Sequence, residues 1–236
     1  MTDLHTHILP GMDDGAKTPE ISLEMLRMER DQGVDTVVLT PHFYRDREWP
    51  GSFLKRRSAA AERLRAALEA LGDERSTLPR LELGAEVAWV PNLADMPELP
   101  QLCMGQSRYL LLELPFYPWN EQMIHQIYDL MGRTGVTPVV AHIERYVKIQ
   151  KPAYLAEVLS LGVPVQVSGE PLLHALQQGR ALKLLRKHQA QLIASDCHDT
   201  VRRPPNLGPA MDAVRRKLGE ARASEVKDSG RMLLTR

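Results

Sequence analysis

The chain opens Met1-Thr2-Asp3-Leu4-His5-Thr6-His7-Ile8-Leu9-Pro10-Gly11-Met12-Asp13-Asp14, and this stretch decides the fold. Leu4, Thr6 and Ile8 mark a β-prone run. His5 and His7, two apart, therefore face the same side of it. Pro10-Gly11 turns the chain, and Asp13 and Asp14 follow in the loop. Two neutral imidazoles beside a carboxylate begin a site for a borderline divalent metal. Taken alone, His-x-His fits two histidines on a solvated edge strand equally well. The later strand ends have to decide.

Working outward, Thr18 and Pro19 read as the N-cap and first position of a helix that Gly33 closes. Residues 36–40 are an apolar run of the kind that lies buried on both faces of a parallel sheet, and it ends at Thr40-Pro41-His42. Residues 43–52 read as a polar loop and 53–71 as a charged amphipathic helix. The Lys55-Arg56-Arg57 run of that helix reads as a solvated face. Residues 80–87 form a third strand with Glu86 near its end, and the Pro-rich residues 91–100 form a long loop. The fourth strand, 108–115, carries Glu113 in an apolar run, where a carboxylate needs a partner or a metal. A helix over 120–133 leads to a fifth strand, 136–142, ending in His142, and a helix over 152–161 to a sixth, 163–167. Residues 171–188 read as helical with a break near Gly179. A seventh strand, 191–198, ends in Asp196 and His198. After a helix from about 208 to 218, residues 219–236 read as a polar, mostly helical tail that the pattern specifies poorly.

Strand and helix alternate, which argues for a parallel α/β sheet in one domain spanning 1–236. Polar groups at the strand ends favour a closed or nearly closed barrel, with catalytic groups at the C-terminal ends of its strands. No Gly-x-Gly-x-x-Gly follows a strand, so a dinucleotide fold has no support. With 236 residues and 43% hydrophobic content the chain can bury a sizeable core. Thirty basic and thirty acidic residues cancel, which argues against a nucleic-acid or membrane-surface partner. Two cysteines give no disulfide framework, and no stretch reads as a signal peptide or bilayer span. A cytoplasmic protein is expected.

Collected at strand starts and ends are His5, His7, Asp14, His42, Glu86, Glu113, His142, Asp196 and His198. Five imidazoles and four carboxylates exceed what one ion can use, so two or three ions with bridging carboxylates fit better. His125, His174 and His188 fall on helices and read as surface or core residues. The pattern resembles the PHP (polymerase and histidinol phosphatase) family. Within it, the chain is similar to the bacterial manganese-dependent protein-tyrosine phosphatases of capsule and exopolysaccharide loci. The residues that carry the likeness are 3–15, Thr40-Pro41-His42, Gly84-Ala85-Glu86, 109–113, the block 137–146 with His142-Ile143-Glu144-Arg145-Tyr146, and 194–198. The likeness covers roughly residues 1–215. At Gln166-Val167-Ser168 the chain departs from the Gln-x-Asn of relatives.

The resemblance implies a distorted TIM-like (β/α)7 barrel holding three divalent ions. The ions would be Mn²⁺ first, with Fe, Zn, Co or Mg as possibilities. By that analogy His5, His7, Glu86 and Asp196 hold one ion, Glu86, Glu113 and His142 a second, and Asp14, His42 and His198 a third. The implied reaction is hydrolysis of a phosphomonoester by a metal-bridging hydroxide. The implied substrate is phosphotyrosine on the tail of a polysaccharide-assembly kinase. Arg145 is the first choice of phosphate clamp, since guanidinium meets phosphate in a bidentate fork, and Arg202 or Arg203 the second. Asp14 or His198 is the candidate general acid.

Other chemistries compete. Cys197 and Arg203 satisfy the Cys-x5-Arg spacing of thiolate phosphatases. The intervening residues lack glycine, however, and Asp196 beside the thiol would raise its pKa. A histidinol-phosphate or other small phosphoester hydrolase on the same barrel remains open. So do an amidohydrolase, for which Glu113 stands where a bridging lysine is expected, and a non-catalytic metal-binding barrel serving a partner protein.

Overall fold

The computed structural model describes residues 1–235. In chain order, β1 (Thr2–Thr6) is followed by α1 (Pro19–Asp31), β2 (Thr36–Leu39), β3 (His42–Phe43), α2 (Pro50–Glu69), β4 (Arg80–Leu83) and β5 (Glu86–Ala88). Then come β6 (Tyr109–Glu113), α3 (Glu121–Thr134), β7 (Thr137–Val140), α4 (Pro152–Leu159), β8 (Gln166–Ser168), α5 (Glu170–Leu173), α6 (Gln178–Arg186), β9 (Leu192–Ala194), α7 (Leu207–Leu218) and α8 (Glu220–Met232).

All pairings are parallel. β1-β2-β4 form one sheet, β3-β5-β6-β7 a second and β8-β9 a third. Isolated parallel bridges join the pieces, Val140 to Val165 and Thr6 to Cys197. Across the last bridge, His7 N–H donates to the Cys197 carbonyl at 2.9 Å and Asp196 N–H to the His5 carbonyl at 2.9 Å. The first and last strands therefore lie side by side. That adjacency brings residues from the two ends of the chain to one place.

Local chemistry accounts for the elements. Thr18 caps α1 in extended geometry, accepting from Ile21 N–H, with Pro19 at the first turn. Asn120 does the same for α3, accepting from Met123 N–H at 2.9 Å. The strand centres, Val37, Val38, Leu110, Leu111, Leu112, Val139 and Val140, are fully buried, as expected of a parallel sheet covered on both faces.

Four expectations need correction. The third strand is two, β4 and β5, broken at Gly84-Ala85 where the chain passes from one sheet to the next. A side chain at Gly84 would press on Thr40 and Val38 at 3.2 Å, so the smallest residue permits the step. The basic run on α2 is not simply a solvated face. Arg57 is buried and donates to the carbonyls of Gly84 at 2.9 Å and Gln101 at 2.8 Å, pinning that break. The helical break expected near Gly179 falls earlier, between α5 and α6, and Gly179 lies inside α6. The tail is helical as expected, over α8 (Glu220–Met232), but it is not merely polar. Ala223 and Val226 of α8, with Leu233 beyond it, are buried against β1 and β9.

Candidate metal centre

β1 does not run regularly. Its register with β2 shifts between Asp3 and Thr6, where Thr6 N–H donates to the Thr40 hydroxyl at 3.0 Å and the Thr6 hydroxyl to the Val38 carbonyl at 2.8 Å. His5 and His7 emerge from this irregular end, both fully buried, with their Nε2 atoms 3.2 Å apart. Gly15 lets the following loop fold back, since a Cβ there would sit 2.0 Å from the His7 carbonyl.

The other strand ends converge on the same point. Glu86 Oε2 lies 3.1 Å from His5 Nε2 and 3.3 Å from His7 Nε2, and Asp196 Oδ1 lies 3.4 and 3.5 Å from the same two nitrogens. Donors bound roughly 2.1 Å from one cation stand roughly 3.0–3.4 Å from each other, the spacing of these four side chains. His142 Nε2 lies 2.9 Å from Glu86 Oε1 and 3.5 Å from Glu113 Oε1. Asp14 Oδ1 lies 3.4 Å from His198 Nε2 and 3.6 Å from His42 Nε2, at the solvent mouth. His42 borders two groups, since its Nδ1 lies 2.9 Å from Glu86 Oε2. Three clusters whose donor atoms lie within 4.8 Å of one another result: His5-His7-Asp196, His42-Glu86-Glu113 and His7-Asp14-His42-His198. All nine residues singled out in the sequence are brought together.

Hydrogen bonds aim the rings. His5 Nδ1 faces Gln166 Oε1 at 3.2 Å, His7 Nδ1 faces Asp13 Oδ2 at 2.7 Å, and His198 Nδ1 faces the Asp196 carbonyl at 3.0 Å. These oxygens only accept, so each Nδ1 carries a proton and each Nε2 is the ring atom left facing the cluster, able to bind a metal once neutral. Glu86 Oε2 and His198 Nε2 are buried without a hydrogen-bond partner among the described residues. Such atoms are costly unless a cation meets them, and the donor set fits divalent ions. Two ligand-bearing loops are also held in left-handed backbone, His142 at φ 31° and Asp196 at φ 54°. Each costs on the order of 1–3 kcal/mol, a strain that clusters at functional sites.

The electrostatics follow from the crowding. Burial opposes charge on His7 and His142, but carboxylates outweigh it. Asp13, Asp196 and Glu86 raise His7 well above the ordinary histidine range, and Glu113 and Glu86 lift His142 to about 9. Burial likewise pushes the Glu86 and Asp196 carboxyls up, and the histidines around them, His5 foremost, pull both well below the usual range. His198 behaves oppositely: burial, His7 and Arg203 hold it down at about 4, neutral and able to donate a lone pair.

The arginines meet Asp196 from its far side. Arg145 and Arg203 both pair with Asp196 Oδ2, Arg203 at 2.8 Å. Arg202 is exposed on the rim of the same cleft. Asp14 is 65% exposed at the mouth, in a cavity of about 640 Å³ shared with Tyr44 and Arg47. Cys197 is fully buried, 3.7 Å from Glu29. Burial, Glu29 and Asp3 push its thiol far up, which removes thiolate chemistry.

Sequence reasoning missed Asp13, Gln166, Tyr44 and Phe116. Asp13 also accepts from the His42 and Gly15 N–H groups, at 2.8 and 2.9 Å. Gln166 Oε1 also accepts from His142 N–H at 3.1 Å. Tyr44 lies beside the His42 ring at 5.3 Å, and Phe116 stacks on His142 at 6.0 Å. An acid two residues before the loop glycine was the available signal for Asp13. The aromatics carried none.

A family model described as "Capsular polysaccharide synthesis, CpsB/CapC" matches residues 1–233. The chain is 29% identical over 238 residues to the tyrosine-protein phosphatase CpsB of Streptococcus pneumoniae, covering 96% of this chain and 94% of that protein. It is 28% identical over 239 residues to the tyrosine-protein phosphatase YwqE of Bacillus subtilis, covering 99% and 91%. A crystal structure from work on YwqE and CpsB, described as unique metal-dependent tyrosine phosphatases, superposes with a TM-score of 0.84 at 25% identity. It covers 99% of this chain and 94% of that one.

Proposed function

The chain belongs to the CpsB/CapC family of capsular polysaccharide synthesis, and from that premise we propose that it is a metal-dependent protein-tyrosine phosphatase. The observation that carries the reading is the convergence of five imidazoles and four carboxylates at one mouth, in a chain whose relatives are tyrosine phosphatases. In this reading His5, His7, Glu86 and Asp196 hold one ion, Glu86, Glu113 and His142 a second, and Asp14, His42 and His198 a third. Mn²⁺ is the first choice, ahead of Fe, Zn, Co and Mg. Such ions supply Lewis acidity and an ionised water near neutral pH, lowering its pKa to about 7.

The chain's own residues do the rest. Asp13, Gln166 and the Asp196 carbonyl hold three imidazoles with Nε2 inward. Arg145 and Arg203 are held by Asp196 Oδ2, and in this reading their remaining guanidinium N–H groups orient the phosphate and offset the negative charge that builds up on its oxygens. Tyr44 beside His42 and Phe116 over His142 are aromatic walls that suit an aryl leaving group. A phenol, with pKa near 10, departs with modest help, and Asp14 at the open mouth is the first candidate to protonate it where that side chain is not fully held by the third ion. His198, held neutral, is the weaker candidate for that role. The walls favour a phosphotyrosine protein, such as the tail of a polysaccharide-assembly kinase, over histidinol phosphate.

Seven staves, β1, β2 with β3, β4 with β5, β6, β7, β8 and β9, then close as a distorted barrel in one domain. Among the described residues no helix is long and apolar enough to cross a membrane. Cys103 and Cys197 are free and buried, which suits a cytoplasmic site of action. The test is turnover of a phosphotyrosine peptide against histidinol phosphate by Mn²⁺-loaded protein, with and without chelator. Metal-dependent preference for the peptide is expected. Equal or reversed preference would overturn the tyrosine assignment.

A further inference from the structure

Beyond Asp196 the cleft does not end. The Arg145 and Arg203 side opens into a cavity of about 260 Å³ that includes Ser168, Glu170 and Arg202. Arg145, Ser168 and Glu170 also line the next cavity, of about 370 Å³, together with Lys148 and Arg180. Arg180 in turn borders a third, of about 360 Å³, between α4 and α6. Leu155, Leu159 and Leu184 line that one, and Lys183 and Lys187 rim it. Shared residues make the three a continuous track leading away from the candidate metal centre.

The charge on this track is unbalanced. Arg145 and Arg203 are committed to Asp196. Lys148, Arg180 and Arg202 are exposed, and among the described residues their side chains have no ion pair or hydrogen bond. The acids facing them are few. Glu144 is buried and accepts from Ser168 N–H at 3.3 Å, Asp199 lies beside Arg202 with its carboxylate accepting from backbone N–H groups, and Glu170 is the exposed carboxylate beside Lys148 and Arg180. Elsewhere many surface arginines are paired, Arg27 with Glu74, Arg56 with Glu48 and Arg215 with Asp212 and Glu220 among them. The Ser168 hydroxyl is also buried without a partner beside the track.

We infer that this track seats the polypeptide flanking the phosphotyrosine, and that it selects acidic side chains there, with Lys148 and Arg180 as the discriminating cations. The inference rests on the phosphatase reading for where the flanking chain starts. Its charge selectivity can be tested separately.

Two peptides of equal length are compared, one with Asp and Glu around the tyrosine and one with Ser and Asn. Each is made as a phosphate ester for kcat/KM and as a non-hydrolysable phosphonate for binding. Exposed charge pairs of this kind give a discrimination on the order of two- to tenfold, so about a fivefold preference for the acidic peptide is expected at low salt. It should shrink in 0.5 M salt, where charges are screened within a few ångströms. The double variant Lys148→Ala/Arg180→Ala should lose the preference in both assays while turning over p-nitrophenyl phosphate at the parent rate. A preference that is absent, or that survives in the double variant, overturns the inference. If no ester is hydrolysed but the double variant still abolishes acidic-peptide binding, the track stands and the phosphatase reading falls.

Discussion

The two ends of β1 are built on opposite principles. At the Met1 end the chain terminus is held by hydrogen bonds and an ion pair, and the strand packs into the apolar core. The terminal ammonium donates to the Gly33 carbonyl at 2.9 Å and to Asp35 at 2.8 Å. Leu4 packs in an aliphatic cluster with Val38, Leu111, Val139, Leu192 and Leu233. At the His7 end, buried nitrogens and carboxylate oxygens lack hydrogen-bond partners, and His142 and Asp196 are held in left-handed backbone. One end stabilises the chain, whereas the other holds a polar arrangement whose cost a bound cation offsets. Stability and function should therefore respond to different substitutions along one strand.

The sharpest break would come at Glu86, whose two oxygens reach His5, His7, His42 and His142. Glu86→Gln should lower metal-dependent turnover on the order of a thousandfold and reduce bound metal measured by mass spectrometry. Parent-like turnover would undo the division of labour. Leu4→Ala should do the reverse. It should cost about 2–5 kcal/mol in urea-unfolding free energy, while turnover per folded molecule stays near parent.

Asp13→Asn probes the boundary between the two, because Asp13 aims His7 without joining the donor set. A loss of about 10–100-fold in metal affinity, with folding intact, is expected from titration of the apoprotein. A change under twofold would make Asp13 merely structural.

The smallest effect is in pH. His142 is raised to about 9, so its contribution to the stability of chelated protein is complete below about 6.5 and is lost as pH rises through 9. Asp13, Glu86 and Asp196 are depressed, so theirs is present above the ordinary carboxylate pKa and is lost only as pH falls into the strongly acid range. Urea midpoints of chelated protein should therefore decline from pH 6.5 to 9. Saturating Mn²⁺ should flatten that decline, because ligand histidines must already be neutral. A decline unchanged by Mn²⁺ would separate the histidines from metal binding.

Much of this was legible in the chain. Apolar runs located the strand centres, and the polar residues that end them were the donor residues. Short-range features were harder wherever a neighbour overrode them. The 80–87 run reads as one strand, yet Gly84 and the carbonyl-seeking Arg57 divide it between two sheets. The tail reads as unspecified because its apolar positions are few, yet Ala223, Val226 and Leu233 find cover against β1 and β9.

By itself, the order of residues determined the element sequence and the set of nitrogen and oxygen donors, because periodicity and breaker residues act over a few positions. Only the tertiary structure decided that Asp13 aims the His7 ring, which imidazole nitrogen faces the cluster, and that Arg145 and Arg203 share Asp196. These depend on distances between segments as far apart as Asp3 and Ser195, where side chain meets backbone at 3.1 Å. No local pattern encodes such a distance, since it is set by how all the strands pack together.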